Sequence, residues 1–210
     1  MSQTKPEMQI HEQWKNLLDR DVLKDSIQMV ALYITVFELL EHAVVSKPKD
    51  FFTIWEFDDK AHREYLDEVI SLYDPKAIPG IAGKRKDINA SLLWLKKVGA
   101  IDDDDIRVYA DSKKLRNNMA HQMLTFIADG GSKVVGQFAS MYALFCKIER
   151  WWILEYELPI SDEYTPDEVD PSGVMSGNMM VLTIILDILS NDSNARYKEV
   201  CEAFGVPVRE

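Results

Sequence analysis

The chain has 210 residues, of which 47% are hydrophobic and 28% charged, with a formal net charge of -11. This balance excludes a disordered chain and lacks the long apolar runs of a membrane protein, and the length suits one globular domain with a substantial core. The acidic surplus excludes broad affinity for DNA by counterion release, which needs a field of Lys and Arg, although it leaves room for a local basic site.

The N-terminal stretch MSQTKPEMQIHEQW has no apolar segment of the kind a signal peptide carries. Met8 to about Leu18 is predicted as a short amphipathic helix, because Ile10, Trp14, Leu17 and Leu18 recur at three- and four-residue intervals. Asp19 or Asp21 caps a second helix to about Val45. Its apolar residues, among them Val30, Val36, Phe37 and Leu40, cover nearly every face, so it should lie centrally, and Lys47-Pro48 is expected to end it. The apolar run Ile27 to Phe37 is roughly half the length that spans a bilayer and reads as a buried helix, with no membrane partner. Beyond Phe51, Phe52, Trp55 and Phe57, a third helix is expected over Asp58 to Tyr73, then a loop through Asp74-Pro75 and Ile78-Pro79-Gly80. Lys84-Arg85-Lys86 is the one dense basic cluster.

Ile88 to Val98 is predicted helical, with Ile88, Leu92 and Leu95 on one stripe, Leu93 and Trp94 widening it, and Gly99 as its stop. Asp102 to Asp105 offers an N-cap and a negatively charged first turn for the next helix. There Ile106, Tyr109, Ala110, Leu115, Met119 and Leu124 should point inward, with Lys113, Arg116, Asn117 and His121 on a neighbouring face, and Gly130-Gly131 closing the unit. Val134 to Tyr156 is a long helix ended by Pro159, Ser161 to Gly173 a surface loop, Val174 to Leu189 an apolar helix and Ala195 to Phe204 a last short one. Period-2 patterning is almost absent, so the expected fold is an all-α bundle of about six to eight helices, with residues 1–210 as a single domain. Cys146 and Cys201 have no CxxC partner, which suggests neither a zinc knuckle nor a disulfide framework and fits a reducing, cytoplasmic setting.

The chain contains no phosphate-cradling glycine loop, GxSxG elbow or HExxH helix. Glu38, Glu41 and His42 share one helix and resemble half of a metal site, but no second helix offers matching ligands, so neither a metal nor a cofactor is expected. Asp58 and His62 read as a solvated i,i+4 pair. Trp151-Trp152 and the Met175, Met179, Met180 group read as core. The stretch Leu115 to His121 stands apart, because it holds Arg116, Asn117, Asn118 and His121 within two turns, just after Lys113 and Lys114. Arg suits the non-bridging oxygens of a phosphodiester, and imidazole titrates near neutrality, so it can take a proton from a ribose 2′-hydroxyl or return one to the leaving oxygen. One copy supplies one proton-transfer group; a two-fold dimer supplies base and acid without a metal.

The segment Arg116-Asn117-Asn118-Met119-Ala120-His121, with the preceding helix-loop-helix SLLWLKKVGAIDDDDIRVYADSKKL, resembles the HEPN superfamily of helical bundles carrying an Arg-x4-6-His motif with a polar residue after the Arg. The resemblance covers about Ile88 to Leu124. It implies a metal-independent endoribonuclease site at a dimer cleft, with His121 and Arg116 catalytic and Asn117 supporting; beside them the local charge of Lys113 and Lys114, with Asn118, makes these three the substrate-binding candidates. It also implies RNA as partner, a homodimer, and a toxin or defence role with a cognate antitoxin or regulatory protein. The same helix-loop-helix is similar, more faintly, to the mannitol operon repressor family, which implies a non-catalytic, protein-binding regulator instead.

Overall fold

The computed structural model describes residues 5–53, 59–81, 85–160 and 169–189, with 198, 202 and 203. Eight α-helical segments and no strand occur among them: α1 (Lys5–Leu18), α2 (Arg20–Glu41), α3 (Lys47–Thr53), α4 (Asp59–Glu68), α5 (Lys86–Lys97), α6 (Asp103–Ala128), α7 (Ser132–Trp152) and α8 (Gly177–Leu189). The all-α expectation holds. The chain divides into two compact units, Met1–Ile148 and Glu149–Glu210.

In the first unit α2 is the central element. Asp19 caps it, its side chain accepting from the backbone N–H of Asp21 and Val22, and Val30, Tyr33, Val36, Phe37 and Leu40 are buried along it. Burial of each large apolar side chain stabilises the unit by roughly 1.5–3 kcal/mol. Lys47-Pro48 does not end the helix as expected. Pro48 has no N–H for the carbonyl four residues back, and its ring would crowd that carbonyl. The chain widens instead into a π turn, His42–Ser46, where the Lys47 N–H reaches the His42 carbonyl, and continues as α3. The resulting run, Arg20–Thr53, contains a stretch long and apolar enough to cross a membrane; its core-facing side is buried, as that of a central bundle helix also is.

The longest partner of α2 is α6, and α1 packs across both; α5 lies against the π turn and α3 against α4. Gly99 takes φ +80°, and the Ala100 N–H reaches back to the Leu95 carbonyl, so α5 ends where Gly permits a left-handed residue. At the start of α6, the Asp102 side chain accepts from the N–H of Asp104 and Asp105 while the Asp105 carboxylate accepts from the Asp102 N–H, a reciprocal cap. Lys147 on α7 bonds both carboxylates and holds α7 to that cap. These hydrogen bonds keep the Asp102 carboxyl below the usual range, the backbone one at Asp105 foremost.

Two further details differ from expectation. The third helix ends at Glu68, followed by a 3-10 turn, Ile70–Leu72. Leu124 is 80% exposed rather than inward, because Gln122 (φ -134°, ψ 32°) breaks the phase of α6 and turns Phe126 and Ala128 to the core in its place. In the second unit, α7 runs into a π turn at Ile153–Glu157, and Trp151, Trp152 and Tyr156 stack edge-on and tilted at centroid distances of 5.0–5.2 Å. There Met179 and Leu182 of α8 are buried, while Arg150 donates to the Val174 carbonyl. Residues 161–168 of the expected loop, Asp58, and nearly all of the expected last helix lie outside the described residues.

Candidate functional site

The residues singled out on α6 leave the helix in three directions. Residues five apart at about 100° each diverge by about 140°, so Arg116 and His121 of one chain lie on different faces, whereas Asn117 and His121 are separated by about 40°. Arg116 turns toward α2. Its Nε and Nη2 both donate to Glu38 Oε1, at 3.2 and 2.6 Å, and its guanidinium lies 6.0 Å from the centre of the Phe37 ring. Phe37 is buried, so the cation rests on a fixed aromatic face, and its other N–H groups have no hydrogen bond among the described residues. Packing therefore sets the orientation of Arg116 before any ligand arrives.

Lys113, one turn earlier, borders the same junction and is half-buried. Burial pushes its amine below the ordinary lysine range; Glu41 opposes that shift, and Arg85 adds to it. Glu41 is held by two further groups, with Arg85 Nη2 donating at 3.1 Å and the Tyr109 hydroxyl at 3.4 Å. Arg85 also donates to Asp87 at 3.3 Å, and that bond is the first cause of its raised pKa. Burial drives the Tyr109 hydroxyl well above its usual value, so it acts as a donor at neutral pH. Glu38, Glu41, Arg85, Asp87, Tyr109, Lys113 and Arg116 thus form one polar seam where α2, α5 and α6 meet.

Lys114 and Asn118 take the second direction. They line a groove of about 490 Å³ facing α7, with Asp111, Leu115, Gly136 and Gln137. Asn117 and His121 take the third. Both are exposed, and the imidazole has neither a hydrogen bond nor an ion pair among the described residues. The fold therefore brings together Arg116 and Lys113, and separately Asn117 and His121, but does not join the two pairs within one chain. Glu38 and Glu41, which as a sequence pattern look like metal ligands, are occupied by Arg116 and Arg85, and no group of three His, Cys, Asp or Glu suited to a metal occurs among the described residues.

Sequence reasoning missed Glu38 as the partner of Arg116 and Tyr109 as the donor to Glu41. Two carboxylates three residues apart on an otherwise apolar helix were the available signal, since charges at the edge of a core stripe call for partners. No family model, curated protein or solved structure matches this chain.

Proposed function

We propose that this chain is the protomer of a dimeric, HEPN-type, metal-independent endoribonuclease acting in the cytoplasm as the toxin or defence half of a two-component system. The observation that carries it is His121: an exposed imidazole with no hydrogen bond or ion pair among the described residues, five residues after an arginine bonded to Glu38. Imidazole is the side chain suited to both halves of a general acid–base step, since it can accept a proton and give one back. In a two-fold dimer, His121 of one copy takes the proton of the ribose 2′-hydroxyl, the O2′–P bond forms, the P–O5′ bond breaks, and the imidazole of the second copy protonates the departing 5′-oxygen. The products are a 2′,3′-cyclic phosphate and a 5′-hydroxyl. Arg116 stabilises charge on the non-bridging oxygens with the N–H groups that Glu38 leaves open, Asn117 supports His121 from the same face, and Lys113, Lys114 and Asn118 contact the flanking strand. A cognate antitoxin or regulatory protein would act by covering this face.

A second reading, a non-catalytic helical regulatory or protein-binding module like the mannitol operon repressors, is favoured by one observation: Glu38 already neutralises Arg116 at 2.6 Å, which weakens its pull on phosphate. The two readings separate on His121→Ala assayed on bulk RNA in EDTA. Loss of a proton-transfer group lowers cleavage by about 10²- to 10⁴-fold. Undiminished cleavage, or no cleavage by the parent dimer, refutes the catalytic role and leaves the module.

A further inference from the structure

Away from α6, a cleft of about 580 Å³ opens between the π turn, α3, α4 and the start of α5. Its volume lies within the range of small-molecule sites, roughly 300–1,000 Å³. The walls have a specific chemistry. His42 on the π turn and His62 on α4 line it, the buried Tyr65 stands one turn on from His62, and Ile70 adds aliphatic carbon to the wall. Lys49 and Asp50 lie on α3 at its rim, and Asp87 closes the edge nearest the polar seam.

Imidazole rings beside aliphatic carbon favour a flat heteroaromatic ring, while the Tyr65 ring is buried in the core and offers it no free face. Carboxylates only accept, so such a ring must offer N–H donors along its edge. Asp87 is engaged by Arg85, whereas Asp50 has no hydrogen bond or ion pair among the described residues. Guanine carries two adjacent donors, N1–H and N2–H, that match the two oxygens of one carboxylate; adenine, cytosine and uracil carry no such pair. Lys49 supplies the cation for an attached phosphate. The position is equally informative, since His42 follows Glu38 by one turn of α2 and Asp87 is bonded through Arg85 to Glu41, so the cleft opens beside the Arg116 seam.

We infer that this cleft is a guanine nucleotide subsite, with Asp50 reading the base edge, His42 and His62 flanking the ring and Lys49 contacting phosphate. Its role, placing a guanosine of single-stranded RNA beside the cleaved bond, rests on the ribonuclease reading; binding of the nucleotide does not. The test is titration of the full chain with guanosine 5′-monophosphate, adenosine 5′-monophosphate and ribose 5-phosphate, followed by imidazole NMR. Guanosine monophosphate should shift the His42 and His62 resonances, assigned with His42→Gln and His62→Gln, and leave His11 in place. Asp50→Asn, which turns an acceptor into a partial donor, should weaken guanosine monophosphate about tenfold or more and leave ribose 5-phosphate unchanged. Equal binding of all three ligands, no binding, or an Asp50→Asn chain that binds normally overturns the inference even if RNA is cleaved. Selective binding by a chain that cleaves no RNA sustains the subsite and refutes only the ribonuclease reading.

Discussion

Within the seven residues Leu115 to His121, stability and function should come apart between Met119 and His121, two positions apart. Met119 is fully buried on the core side of α6, whereas His121 is exposed and touches nothing by hydrogen bond or ion pair among the described residues. Truncating a buried Met to Ala removes its transfer free energy and leaves a partly collapsed cavity, about 3 kcal/mol. For a chain of this size that lowers Tm by roughly 6–12 °C. His121→Ala removes no buried contact, and exposed substitutions of this kind change stability by less than about 0.5 kcal/mol, which is roughly 2 °C or less. Both variants should be melted by differential scanning calorimetry and by far-ultraviolet circular dichroism, and their urea midpoints compared with the parent. A His121→Ala chain that melts as low as Met119→Ala refutes the placement of His121 on a free face and removes the basis for reading an activity loss as chemistry.

Alkaline stability should be set partly by Tyr33. Burial is the main reason its pKa rises from 10.0 to about 12, so the folded state keeps its proton where the unfolded state loses it. Its contribution is complete below pH 10 and is lost as pH climbs through about 12; urea midpoints across that window should fall less steeply in Tyr33→Phe, and parallel profiles would sink the assignment. Lys113 has the opposite sign. Burial lowers its pKa from 10.5, so at neutral pH folding carries the penalty of a half-buried charge, relieved as pH rises toward 10.5. Lys113→Met should therefore raise Tm near pH 7, with the gain shrinking in alkaline buffer, and a variant less stable than the parent at pH 7 contradicts the desolvation account.

Features governed by a few neighbouring residues were legible without coordinates. Asp19 and Asp102 act as the caps their positions imply, Gly99 ends α5, and the apolar stripes of α2 and α5 face the core, because capping, left-handed glycine and helical periodicity all operate within about one turn. Pro48 shows the limit of a local rule: the missing N–H was readable, but a π turn absorbed it where termination was expected. That Arg116, Asn117, Asn118 and His121 share two turns of one helix was also readable. What Arg116 bonds to was not, because Glu38 lies 78 residues earlier and meets it only through the packing phase of α2 against α6. The same phase sends Lys114 and Asn118 toward α7, leaves His121 in solvent, and, past the break at Gln122, exposes Leu124. Residue types and spacing decided which side chains α6 carries and that it is a helix. The rotation of one helix against another, which no local pattern encodes, decided where each group points.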